Sequence, residues 1–346
     1  MTMTARFATD QEIANWNTHI IANPDGGNVF GSFEFAMQKE TGGYKARFVM
    51  IDELAVTVLE KSSGPLGTFW YLPKGPGVTT TKDLLAALKA LTPLAKKHGV
   101  FAVRVESELP KSTQPTLARH GLIKAVPIIP NPSTITLDLT PKLDDILTTM
   151  PQKGRYAIKR AARDSVSVKR VKATENNCQL MFKLYVETAQ DQFGIRAYEY
   201  YRSFWQRFEA AGYGQLFFAY VDGKVVAGAY AMALGTKSTY KDGASARART
   251  VYGASHMLQW EVITWAKEHG ALVHDFCGAP PSDQIDNSEH PHHGIGLFKM
   301  AFSRNVIDFI GCYDYIISPT QYKIWTAVGE RVARRLHRLT RGDSYY

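Results

Sequence analysis

Phe48-Val-Met-Ile-Asp52-Glu-Leu-Ala-Val-Thr-Val-Leu59 places two apolar runs on either side of an Asp-centred turn, the pattern of a β-hairpin. Phe218-Ala-Tyr-Val-Asp222-Gly223-Lys-Val-Val-Ala repeats that pattern, and a helix and a strand succeed each hairpin in the same order. After the first hairpin, Leu84, Leu88, Leu91 and Ala95 recur at helical spacing, Gly99 closes the run, and Val100 to Val105 is strand-like. After the second, Leu258, Val262 and Trp265 mark a helix closed by Gly270 before Ala271-Leu-Val-His-Asp-Phe276. Asp52 and Asp222 stand 170 positions apart, and Ala95-Lys-Lys-His-Gly99 and Ala266-Lys-Glu-His-Gly270 stand 171 apart, close to half of the 346 residues. A constant offset of that size predicts two tandem copies of one α/β (α+β) unit, each a mixed sheet with flanking helices.

The stretch Val126-Pro-Ile-Ile-Pro-Asn-Pro-Ser-Thr-Ile-Thr-Leu-Asp-Leu-Thr-Pro141 is studded with proline and then alternates like a strand, which sets the expected boundary near residue 143. The first unit is expected over 1–143 with a helical segment, 312–346, packing back on it. The second is expected over 144–311.

At 45% hydrophobic residues the chain can fill two cores. No run of eighteen apolar residues occurs, and the first ten residues lack a basic region followed by an apolar one. Neither a membrane span nor a secretory leader is therefore expected, and the expected location is cytoplasmic. Cys178, Cys277 and Cys312 are scattered without a CxxC pair, which fits a reducing compartment and excludes a disulfide framework. His290-Pro-His292-His293, even with His274 and Cys277, has no ordered third ligand, so no metal is expected; covering a site at Phe298-Lys299 is the more natural use of that loop.

The net charge of +9 points to a polyanionic partner: nucleic acid, a nucleotide-linked substrate or an anionic membrane face. Between Lys153 and Lys172 lie eight basic residues, among them Arg155, Lys159, Arg160 and Arg163, against the single acid Asp164. A second group, Arg331, Arg334, Arg335, Arg338 and Arg341, has no acid within it.

Acetyl-CoA-dependent N-acetyltransferases (the GNAT fold) share the hairpin, helix and strand order, and hold the cofactor pyrophosphate in a glycine-rich loop that opens the helix. Here that place reads Arg249-Thr-Val-Tyr-Gly253-Ala, without the first glycine and with bulky Val251 and Tyr252. The pattern predicts the fold without its usual acyl donor.

Taken together, Gly31-Ser-Phe-Glu-Phe-Ala-Met-Gln-Lys39, Tyr71-Leu-Pro-Lys-Gly-Pro76, Val103-Arg-Val-Glu106, Ile135-Thr-Leu-Asp-Leu139, Tyr252-Gly-Ala-Ser-His-Met-Leu-Gln259-Trp260-Glu261, His274-Asp275-Phe-Cys-Gly278 and Gly296-Leu-Phe-Lys299-Met-Ala-Phe302 resemble, in order and spacing, the Fem (FemABX) peptidyl transferases. That resemblance implies two acetyltransferase-like domains and transfer of an amino acid from aminoacyl-tRNA to the amine of a peptidoglycan precursor, building the interpeptide bridge. The acceptor is implied to be a UDP-MurNAc-peptide or lipid II, with peripheral contact at the inner membrane face. Aminoacyl-tRNA is a co-substrate and no further cofactor is implied. Only about thirty residues separate Glu187 from Gly214, so the chain is similar to the compact type that lacks a two-helix arm.

Carried over by position, Lys39 and Arg196 would clamp the acceptor diphosphate, with Tyr200 and Tyr252 lining the same site. Lys299, preceded by Phe298, would stabilise the oxyanion, and Glu106 stands where the family has an Asp considered for the base. Lys153, Arg155, Lys159, Arg160 and Arg163 would meet the tRNA. Two other readings compete: an acyl-CoA-dependent N-acyltransferase, and an RNA-binding protein without enzymatic activity.

Overall fold

A computed structural model describes residues 3–129, 132–189, 194–246, 251–341 and 345, with side chains of the final helix as far as Leu339. The chain divides into two compact units, Met1–Pro132 with Asp308–Tyr346, and Ser133–Ile307. Each is built on one mixed sheet of seven strands.

In the first unit the sheet runs β1 (Ala5–Phe7), β2 (Lys45–Ile51), β3 (Leu54–Ser62), β4 (Thr68–Leu72), β5 (Val100–Val105), then β14 (Cys312–Ile316) and β6 (Ile123–Ala125). β2 and β3 form the expected hairpin, in which Asp52 takes a positive φ of 50° at the turn. The helix Thr81–Lys97 carries the chain from β4 to β5, which pair in parallel. Thr80 caps it by accepting from the Asp83 amide, and the buried stripe of Leu84, Ala87, Leu88, Leu91 and Ala95 seats it against Val49, Val58, Trp70 and Val103 of the sheet. Each buried leucine contributes about 1.5–3 kcal/mol, enough to decide which face turns inward.

The second sheet repeats this arrangement: β8 (Ser167–Val171), β9 (Gly214–Val221), β10 (Lys224–Leu234), β11 (Lys237–Ser245), β12 (Val273–Asp275), then β7 (Ser133–Asp138) and β13 (Asn305–Asp308). The β9–β10 hairpin turns at Asp222 and Gly223, with φ of 49° and 73°. The helix Ala254–Glu268 then crosses over to β12, parallel to β11. Leu258, Val262, Ile263 and Ala266 of that helix pack on Phe217, Ala229 and Ala231.

The sixth strand of each sheet comes from outside its repeat. β14 follows the second unit in sequence yet lies beside β5, where Arg104 and Asp314, both nearly fully buried, make a double hydrogen bond of 2.7 and 2.9 Å. β7 precedes the second unit's other strands and pairs with β12. Residues 133–143 therefore group with the second unit, eleven residues ahead of the boundary expected at 143. The 312–346 segment opens with strand β14 before its helices, Pro319–Ile324 and Glu330–Arg341. Among the described residues no helix is long and apolar enough to cross a membrane.

Candidate active site

Lys299 ends the short helix His293–Lys299 in the second unit, where its side chain is turned inward and the residue is only 4% exposed. Its ammonium donates to the carbonyl oxygens of Cys277 (2.5 Å) and Gly278 (2.6 Å). Both carbonyls are presented by left-handed backbone, with φ of 59° at Cys277 and 82° at Gly278. Glycine takes that conformation freely, whereas a cysteine pays for it, and strain of this kind collects at functional sites. Asp275 helps to hold the turn: one of its oxygens accepts from the Cys277 amide at 2.7 Å and from the Thr134 hydroxyl.

Burial pushes the Lys299 ammonium down to about 8, against the smaller opposing pull of Cys277 and Asp275. The neighbouring imidazoles respond to the same environment. His274 is wholly buried between the Ser238 hydroxyl (2.8 Å at Nδ1) and the Gln259 amide (2.9 Å at Nε2), and burial, then the charge of Lys299, lowers it to about 3. His292 is lowered by burial, then by His290 and Lys299, which puts the His290–His293 loop within the field of that ammonium. Burial lowers Lys241 too, but Asp242, 3.1 Å away, with Tyr200, Tyr185 and Cys277, more than offsets this and holds the amine above its ordinary value. Among the described residues no group of three side chains is arranged to hold a metal ion.

A row of rings leads from the surface to this position. Tyr156 and Tyr252, each about half exposed, lie 6.1 Å apart. Tyr252 stacks on His256 at 6.3 Å, His256 meets Phe298 at 5.1 Å, and Phe298 meets Phe302 at 5.4 Å. Phe276 and then His274 continue the row. Tyr252 and Phe298 thus stand in one aromatic train ending beside Lys299.

Tyr156 belongs to the helix Gln152–Arg163, the expected basic segment. Gly154, Ala157, Ile158 and Ala161 are its buried face, and the small residues allow very close approach. A Cβ at Gly154 would lie 1.9 Å from the Ala301 carbonyl oxygen, and one at Gly253 would lie 2.2 Å from that of Ala157. Gly253, at φ 87°, caps the Ala254–Glu268 helix where an acetyltransferase would present its pyrophosphate loop. The glycine here admits a neighbouring helix, and no open cradle is left at that carbon. Arg249 and Thr250 of that loop lie outside the described residues.

The five basic residues of this helix divide by role. Lys153, Lys159 and Arg163 are exposed. Arg160 is exposed and paired with Asp164 at 2.7 Å. Arg155 turns back and donates to the carbonyls of Thr148 and Met150, both at 2.6 Å, closing the end of the preceding helix.

Arg196 lies with its guanidinium 4.7 Å from the centre of the Tyr200 ring, and Tyr200 in turn stacks on Phe204. Lys39 is in the first unit, on the helix Phe33–Thr41, and its ammonium lies 5.5 Å from the Phe35 ring and 5.8 Å from that of Tyr44. Glu106, also in the first unit, is buried and occupied: its carboxylate accepts from the amides of Ile128 (2.5 Å) and Ile129 (3.2 Å) and from the Tyr71 hydroxyl. Those donors occupy most of the carboxylate's lone pairs. The stretch His274 to Gly278 stood out in the sequence, but the inward Cys277 and Gly278 carbonyls, the burial of His274 and the place of Lys241 did not, since a left-handed cysteine and a buried histidine are set by tertiary packing.

Residues 152–284 match the model of the acetyltransferase (GNAT) domain family. The chain is 29% identical over 120 residues to the lipid II:glycine glycyltransferases of Staphylococcus haemolyticus and Staphylococcus aureus, a match covering 35% of this chain and 28% of either relative. It thus spans little more than a quarter of those relatives' length. In fold it matches the crystal structure of FemX with a TM-score of 0.79 at 18% identity, over 94% of this chain and 100% of that one. The structure of L-PGS from Bacillus licheniformis matches with a TM-score of 0.54 at 11% identity, over 94% and 98%.

Proposed function

We propose that this chain, a member of the Fem family by its tandem fold and its likeness to the glycyltransferases, is an aminoacyltransferase that builds the interpeptide bridge of peptidoglycan. The donor is an aminoacyl-tRNA and the acceptor is the stem-peptide amine of a UDP-linked or lipid-linked muropeptide. The observation that carries this reading is the Lys299 ammonium, desolvated, held by two backbone carbonyls, and linked by a row of rings to an exposed basic helix.

In the reaction the acceptor nitrogen attacks the ester carbonyl carbon. A C–N bond forms, the bond to the ribose oxygen of the tRNA breaks, and the proton lost by the amine ends on that oxygen. Negative charge passes through the carbonyl oxygen, and a fixed ammonium of low exposure stabilises it far more than water would. An ammonium has three donors and the carbonyls of Cys277 and Gly278 engage two of them, which leaves one for the oxyanion. Lys153, Lys159 and Arg163 supply charge for the tRNA backbone. Lys39 and Arg196 are each proposed as cations for the acceptor diphosphate, and Tyr200 and Tyr252 as further acceptor contacts.

The close packing at Gly253 disfavours coenzyme A as donor. The protein, muropeptide acceptors and a panel of radiolabelled aminoacyl-tRNAs should give transfer that RNase abolishes. Turnover of an acyl-CoA thioester without RNA would replace this reading with the acyl-CoA one. RNA affinity with no product from any pair would favour the non-enzymatic one.

A further inference from the structure

In the first unit, the helix Glu330–Arg341 and the helical residues 324–329 before it expose an apolar stripe. Ile324 (49% exposed), Val328 (55%), Val332 (48%), Leu336 (56%) and Leu339 (73%) succeed one another at three- and four-residue steps. Arg331, Arg335 and Arg338 repeat the steps of Val332, Leu336 and Leu339, offset by one residue, and form a parallel row beside the stripe. All three arginines are exposed, as is Arg334. The base of the helix is fixed: Tyr322 and Trp325 are buried, and Trp325 stacks on Phe69 at 6.2 Å. Ala333 and His337 are half-buried, which leaves the stripe outward.

Contiguous apolar surface of this kind is uncommon on a protein that remains in water. We infer that this helix docks on the surface of an anionic phospholipid bilayer, lying in the interface with its apolar stripe among the acyl chains and its arginines at the phosphates. An amphipathic helix with basic residues flanking an apolar face has that chemistry. A second copy of the chain fits less well, because it would bring its own arginines to the seam. The only acid from Pro319 to Arg341 is Glu330, which already pairs with Arg334 at 2.8 Å. RNA would engage the arginines and leave five apolar side chains in water. The surface is independent of the transfer reaction, and its test does not use it.

The experiment is flotation of the full chain with vesicles of phosphatidylcholine alone, or of phosphatidylcholine with about one-third phosphatidylglycerol. The wild type should float with the anionic vesicles only, and less so as salt rises. Arg335→Gln with Arg338→Gln should weaken binding roughly 30-fold, at about 1 kcal/mol per arginine. Leu336→Ser with Leu339→Ser should weaken it by at least about tenfold. These side chains are exposed, so melting temperatures should stay within about 2 °C of wild type. If the leucine pair melts lower, Val328→Thr with Val332→Thr removes the other part of the stripe at nearly constant shape.

Wild type that does not float with anionic vesicles, or that floats equally with neutral ones, overturns the proposal. So does a leucine pair that floats like wild type while the arginine pair loses affinity for transfer RNA, which would make this an RNA surface. A lipid-free dimer that the leucine pair dissociates would make it an interface between copies, with the same consequence.

Discussion

Replacing Lys299 with Met separates what the buried ammonium does for the reaction from what it costs the fold. The wild-type ammonium titrates near 8 in the folded chain against 10.5 when unperturbed. Between those values the unfolded chain binds a proton that the folded chain has released, so stability rises with pH across that window. The gap corresponds to roughly 3 kcal/mol. Below about pH 8 both states are protonated and the full penalty is present; above about 10.5 it is gone. Met does not titrate, so the stability of wild type minus that of Lys299→Met should climb by about 3 kcal/mol from pH 7.5 to 10.5, read from urea denaturation in steps across the range. Comparing the two chains at each pH cancels the other groups that titrate there. Transfer by Lys299→Met should be down about a hundredfold or more at neutral pH. In the wild type, transfer should fall on the alkaline side with an apparent pKa near 8, a limb that Lys299→Arg should lose, because a guanidinium keeps its proton. A flat stability difference would mean that the ammonium is not desolvated. The electrostatic case for Lys299 would then fail, whatever the activity of the variant.

Gly253→Ala should destabilise the chain by more than about 3 kcal/mol, since its Cβ would lie 2.2 Å from a helix carbonyl in addition to the positive φ. Gly270→Ala, at a similar φ of 81° with nothing within 4 Å, should cost only about 1–2 kcal/mol in the same thermal or urea melt. Arg104→Met strands a buried Asp314 carboxylate and should cost about 3–5 kcal/mol, seen as a lowered urea midpoint. Replacing Lys153, Lys159 and Arg163 together with Ala should weaken transfer-RNA binding and reduce the slope of log affinity against log salt by up to about 3, whereas Arg155→Ala should leave the slope unchanged and lower the melting temperature.

Both hairpins, both crossover helices and both strands after them were legible because each is a local pattern. Apolar runs flank Asp52 and Asp222, the Leu84 to Ala95 and Leu258 to Trp265 spacings have helical period, and Gly99 and Gly270 end their helices with φ of 65° and 81°. The sixth strands were legible only in part. The 312–346 segment was expected on the first unit, where it lies, but as helix, and nothing local in 133–138 or 312–316 gives the strand each one pairs with, since that depends on a partner far along the chain, such as Arg104 for Asp314.

The same division runs through the site. Resemblance to the Fem transferases marked Lys299 and Phe298, and charge alone marked the basic helix as facing a polyanion, because residue types and their order are carried by the chain itself. Tertiary structure decided the rest: that Lys299 is buried against the carbonyls of a left-handed Cys277-Gly278 turn, that Arg155 closes a helix end while Lys153, Lys159 and Arg163 face solvent, and that the Glu106 carboxylate is taken by Tyr71 and two amides. Burial and the direction in which a side chain points are set by neighbours distant in sequence, and they determine whether a charge faces water, a carbonyl or a substrate.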